Sequence, residues 1–218
     1  MSAPGRRGKG VYLLSFFFAL VVVGAQTGRA SSYDLSADTL MTENGEAPQE
    51  GKIYIKGDKY RIQRKGEAEY IVLRHDKGIM WVVMPKEKVY VELPLDPNRT
   101  PKIQETNPGE ISRKYVGSEE VDGHPTDKYE ITVKEGSKTE SFYQWTATDI
   151  NFPIKTAGLK DEWSVEFRNI RKTVPDNLFE IPEGYQKAKA VIKPTPEAGQ
   201  KPRQGQEGGL PASNRLPR

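Results

Sequence analysis

The chain has 218 residues, 33 lysines and arginines against 30 aspartates and glutamates, two histidines and no cysteine. The missing cysteine excludes disulfides, thiol catalysis and lipid attachment to an N-terminal cysteine. The net charge of +3 is carried by Arg6, Arg7 and Lys9, so residues 26–218 are balanced, which argues against nucleic acid as a partner.

Those basic residues precede the run 11–25, apolar apart from Tyr12, Ser15 and Gly24, with small residues at Val23 and Ala25. This is the layout of a secretory signal peptide over residues 1–25, with a second cleavage position after Ala30. At 15 residues the run is shorter than the roughly 20 that span a bilayer, so a leader is favoured over an uncleaved anchor.

From residue 33 the pattern is one strand after another: 33–42, 51–56, 59–64, 69–74, 79–84 and 88–93. The turns fall at Gly57-Asp58, Lys65-Gly66 and Asp76-Lys77-Gly78, where a hairpin needs a positive φ or a short polar side chain. Residues 94–110 are polar, hold four prolines and lack a helical stripe, which predicts a long connection or a single helical turn. A second meander follows over 115–121, 127–134, 138–146, 152–156 and 162–171, with turns at Asp122-Gly123 and Glu135-Gly136. Beyond residue 187 the composition shifts to five prolines and four glycines. Such a stretch cannot bury enough surface to offset its ordering entropy. Six basic residues there against Glu197 and Glu207 give +4, which suits a solvated basic tail or a weak peripheral tether to an anionic membrane. The expected organisation is a leader over 1–25, one β domain over 31–187 and a disordered Pro/Gly-rich basic tail over 188–218.

Most strands alternate. Ile53 and Ile55 oppose Lys52, Tyr54 and Lys56; Tyr129, Ile131 and Val133 oppose Lys128, Glu130 and Thr132; Trp163, Val165 and Phe167 oppose Glu162, Ser164 and Glu166. Each has one core face and one wet face. The run 79–84 differs, because Ile79, Trp81 and Val83 point one way and Met80, Val82 and Met84 the other. It is therefore a central strand with apolar groups on both sides. Either it is packed on both, or one side lines an apolar cavity, for which adaptable methionines are suited. Met80, Trp81, Val82 and Met84, with Tyr143 and Trp145, are the candidate ligand-binding residues.

Catalytic signals are sparse. His75 and His124 each adjoin a turn, too few for a usual zinc site, and no Gly-x-Ser-x-Gly elbow or phosphate-binding glycine loop is present. No catalytic residue, metal ligand or cofactor is expected, and the chain does not read as an enzyme.

The order "SYDLSADTLMT", "GKIYIKGDKYRIQ", "IVLRHDKGIMWVVMPKEKVYVEL", "YVGSEEVDGHPTDKYEI", "FYQWTATDINFPIK" and "NLFEIPEGYQ" resembles the LolA-like superfamily of bacterial periplasmic proteins over about residues 32 to 187. That superfamily is related to outer-membrane lipoprotein-sorting carriers, and this chain is most similar to an uncharacterised exported branch of it. The resemblance implies a mainly β, antiparallel, strongly curved half-open β-barrel with few short helices. It also implies a periplasmic location and a concave face that takes acyl chains of a lipid or lipoprotein under a lid. Here Tyr33 opens directly into a strand, and only 94–110 offers room for a lid. The expected function is binding of a hydrophobic ligand in lipoprotein sorting or envelope maintenance. The alternatives are a non-catalytic envelope protein that binds a protein partner or senses stress and, less favoured, a hydrolase.

Overall fold

The computed structural model describes residues 33–96, 102–103 and 106–189. The expected leader and all but the first two residues of the expected tail lie outside them. Twelve strands form a single curved sheet that does not close into a barrel. Strands β1 (Asp34–Glu43), β2 (Gln49–Lys56), β3 (Lys59–Arg64), β4 (Tyr70–Arg74), β5 (Ile79–Met84) and β6 (Val89–Pro94) make the first meander. Strands β7 (Glu110–Val121), β8 (His124–Glu135), β9 (Lys138–Ala147), β10 (Phe152–Gly158) and β11 (Trp163–Lys172) make the second. A 3₁₀ turn, Asp176–Phe179, and the short β12 (Gln186–Lys187) close the described chain.

The spatial order is β12-β6-β5-β4-β3-β2-β1-β11-β10-β9-β8-β7. The two meanders therefore meet at the β1/β11 pair in the middle, and every pairing is antiparallel except β12 with β6. This topology puts β6 and β7, consecutive in sequence, near opposite edges of the sheet. Of the described residues between them, Leu95 and Ile103 pack in the main hydrophobic cluster, the Ile103 N–H donates to Tyr60 Oη at 3.3 Å, and Lys102 pairs with Asp58 at 2.8 Å. None of them is helical.

The largest cluster joins the two meanders. Leu35, Ala37, Ile53, Ile55, Tyr60 and Leu73 from the first pack with Trp145, Phe152, Ile154 and Phe167 from the second. Phe152 is wholly buried, with edge-on contacts to Tyr33 and Phe167 at ring separations of 5.0 and 5.2 Å. Close approach of strands is specified at Gly51, where a Cβ would stand 2.7 Å from the Gln63 carbonyl oxygen and 2.9 Å from Thr39 Oγ1. Any side chain there would force β1, β2 and β3 apart.

A second cluster lies on the other face of β4 and β5. Tyr70, Val72, Trp81 and Val83 are covered by Val174 and Phe179, with Leu178, Ile181 and Tyr185 around them. The segment 174–187 thus acts as a strap across the back of the first meander.

Candidate functional site

The register of β1 to β6 builds two apolar rungs. One runs Leu35, Ile55, Tyr60, Leu73, Met80, Leu93; the other runs Ala37, Ile53, Ile62, Ile71, Val82, Val91. Directly paired residues of an antiparallel sheet point to the same side, so these twelve side chains share one face. Five strand spacings make that face about 24 Å wide. Its exposure is graded. Leu35, Ala37, Ile53, Ile55, Tyr60 and Leu73 are buried beneath the second meander, whereas Ile62, Ile71, Met80, Val82, Val91 and Leu93 are only half-buried. Met84, paired with Val89, continues the half-buried part.

Burial dominates the chemistry at the inner end. Tyr60 is buried enough that its phenol is pushed up to about 12, and its hydroxyl accepts the Ile103 amide. It stays neutral at any ordinary pH and forms part of the wall.

The structure sorts the six candidate residues. Met80, Val82 and Met84 lie on the concave face, and Met80 and Tyr143 both sit at the margin of the cluster that contains Trp145. Trp81 stands apart. It points to the convex face, is 7% exposed under the strap, and its indole N–H donates to Glu92 at 3.0 Å. Period-two alternation alone puts Trp81 opposite Met80. What the pattern does not reveal is the strap, because residues 174–187 contain only two strand residues and carry no periodic signal.

Two lysines also carry no signal in the sequence. Lys128 Nζ lies 4.2 Å from the Tyr143 ring centre and 4.4 Å from that of Trp145, and Lys155 Nζ lies 4.9 Å from Trp145. The register explains this, since Trp145 pairs with Lys128 on one side and Lys155 on the other. Each ammonium is held by ring quadrupoles. The Trp145 N–H donates to Glu119, so the aromatic pair is a fixed polar-topped wall.

Ion pairs hold the strap. Arg74, 4% exposed, reaches Asp76 and Glu180 at 2.7 Å each and donates to the Phe179 carbonyl oxygen. Asp176 accepts from Lys56 and Lys59 at 2.8 and 3.0 Å. Hydrogen bonds from Arg74 hold the Asp76 carboxyl below its ordinary value, and those from Lys56 and Lys59 do the same for Asp176. At the sheet edge, Lys187 and the Trp81 indole together lower Glu92.

Elsewhere a cleft of about 530 Å³, lined mostly by polar residues, lies between the middle of β1, the start of β2, the end of β3 and Arg168 and Asn169 of β11. Its charges satisfy one another, Lys52 with Asp38, Lys65 with Glu50 and Arg64 with Glu67. His75 stacks edge-on against Tyr60, and His124 meets Asp149 at 2.8 Å. Among the described residues no three His, Asp or Glu side chains converge as a metal site would require.

Several solved structures are similar to this chain. An uncharacterised conserved protein from Thermus thermophilus aligns at 9% identity and TM-score 0.48, over 73% of this chain and 91% of that one. A DUF1329 family protein from Desulfovibrio piger aligns at 16% identity and TM-score 0.33, over 69% and 90%. A LolA superfamily protein from Nitrosomonas europaea aligns at 12% and 0.31, over 69% and 90%. A putative outer membrane lipoprotein-sorting protein domain from Vibrio parahaemolyticus aligns at 10% and 0.34, over 67% and 89%. No curated protein matches the sequence. Residues 38–151, just over half the chain and running from within β1 to the turn before β10, match the model of the domain of unknown function DUF4412, and the chain belongs to that family.

Proposed function

We propose that the protein is exported to the periplasm and there binds an apolar ligand, the acyl chains of a lipid or lipoprotein, without chemical change. The ligand lies on the outer concave face formed by Ile62, Ile71, Met80, Val82, Val91 and Leu93. The observation that carries this reading is the exposure gradient along the two rungs. A strand ladder this apolar is normally covered, and its inner half is covered by Trp145, Phe152 and Ile154, whereas its outer half stays half-buried. Burying acyl surface there is worth about 25 cal/mol per Å². The methionines at 80 and 84 let the wall adapt to chains of different shape. Export is read from the leader over 1–25, and a peripheral membrane contact from the basic tail over 188–218.

The test is titration of the protein with a fluorescent fatty-acid analogue. Met80→Asp places a charge at the centre of the face and is expected to weaken binding about tenfold or more in a protein that still folds. Binding equal to that of the unaltered protein would overturn the assignment.

A further inference from the structure

Among the described residues, strand β7 is the free edge at the far end of the sheet, paired only with β8. It displays three of the four large exposed hydrophobic side chains among the described residues, Ile111 at 60%, Tyr115 at 56% and Val116 at 47%. Its ladder to β8 is irregular between Glu110 and Ser112 and between Tyr115 and Gly117, which leaves Ile111 and Val116 as the extra, bulged residues. An exposed long edge is a template for another strand. The irregularity dictates which strand can use it.

The hairpin from β7 to β8 turns on Asp122 and Gly123, both with positive φ, and closes at the Val121–His124 pair. From a two-residue turn of this kind, pairs that exchange ladder bonds alternate with pairs that do not. Val121 and Glu119 therefore address β8, while Glu120 and Ser118 turn their backbone groups outward. The Glu120 partner is Pro125, which has no N–H to give, in agreement with that phase. The bulge at Val116 shifts the alternation by one, so the next outward residues are Tyr115 and Arg113. The outward set is then 113, 115, 118 and 120, with spacings of two, three and two. A regular strand offers groups every two residues and can match only one half of this edge. A second copy running antiparallel matches all of it, with Arg113 opposite Glu120 and Tyr115 opposite Ser118 of the other copy.

The side chains agree with that register. Arg113, Tyr115 and Ser118 share one face, since Arg113 and Tyr115 both contact the Tyr129 ring and Tyr115 Oη is 2.7 Å from Ser118 Oγ. Lys114 is exposed and falls opposite Glu119 of the second copy, and Arg113 falls opposite Glu120. Opposite charges meet in every such pair, and no like charges do. We propose that the protein pairs with itself through β7 about a two-fold axis between Val116 and Gly117, extending two sheets into one. Such an interface buries one strand per copy and is isologous, so it is small and concentration-dependent.

Sedimentation velocity on the full chain over a range of concentrations tests this. A monomer–dimer equilibrium is expected, and Lys114→Glu or Glu120→Lys, each of which sets like charges against each other twice per dimer, should weaken it about tenfold. Both side chains are exposed, so thermal melts of the two variants should match the unaltered protein. In this cysteine-free chain, Lys114→Cys with Glu119→Cys should oxidise to a covalent dimer, since the two positions lie about 16 Å apart along one strand and cannot close on each other. A monomer at every concentration, a dimer indifferent to both charge reversals, or failure of the cysteine pair to cross-link would each overturn the proposal.

Discussion

The two faces of β5 are almost equally apolar in sequence, yet the protein treats them in opposite ways. On the convex side Trp81 and Val83 disappear beneath the strap, which is fixed by Arg74, Lys56 and Lys59. On the concave side Met80, Val82 and Met84 keep part of their surface open. The difference teaches that hydrophobicity alone does not distinguish a core from a binding wall. What distinguishes them is whether the chain supplies its own cover, and among the described residues only one face of this strand is covered by an ion-paired segment.

The largest effect is expected where that cover is removed. Phe179 is fully buried in the strap cluster, and Phe179→Ala should cost about 3–5 kcal/mol in urea unfolding. A loss under about 1 kcal/mol would mean that the strap rests on the sheet without sealing it. Next comes its ionic clasp. Asp76 and Asp176 both titrate below the ordinary value of 3.8, so they are charged and stabilising above about pH 4 and lose that contribution as pH falls through their lowered values. The melting temperature should drop on acidification below pH 4, and Arg74→Met should both lower it at neutral pH and shrink that acid-dependent drop. An unchanged acid profile in the variant would show that Arg74 does not set it. The smallest change in stability belongs to the other face. Met80→Asp should cost no more than about 1 kcal/mol while removing the fluorescent lipid signal, because the side chain is half-buried rather than enclosed.

Much of the architecture was legible because hairpins write themselves locally. All eleven strands of the two meanders fall where alternation and turn residues put them, most boundaries within two or three residues, and the turn at Asp122-Gly123 has the positive φ values its residues suit. The main boundary error is β7, which begins at Glu110 rather than 115, because bulges at Ile111 and Val116 break the period-two pattern on which a strand is recognised. The order of strands was not legible. Nothing in Leu40 or Met41 announces that β1 will pair with β11 more than 120 residues later. The strap stayed hidden for a related reason, since its anchors Val174, Phe179, Ile181 and Tyr185 follow no period and gain meaning only against Tyr70 and Trp81. At the candidate site, alternation placed Met80, Val82 and Met84 together on one face. Alternation also puts Trp81 on the opposite face, and which of the two faces is covered is a property of the folded chain alone.

The central claim is that the outer concave face, and not the strap face, receives an apolar chain. Fatty acids carrying bromine quench tryptophan fluorescence only at short range, and Trp145 belongs to the cluster against which Ile62, Ile71 and Met80 of the concave wall pack, while Trp81 lies under the strap. In variants retaining a single tryptophan, quenching should be strong for Trp145 and nearly absent for Trp81. Equal quenching of both, or quenching of Trp81 alone, would contradict the account.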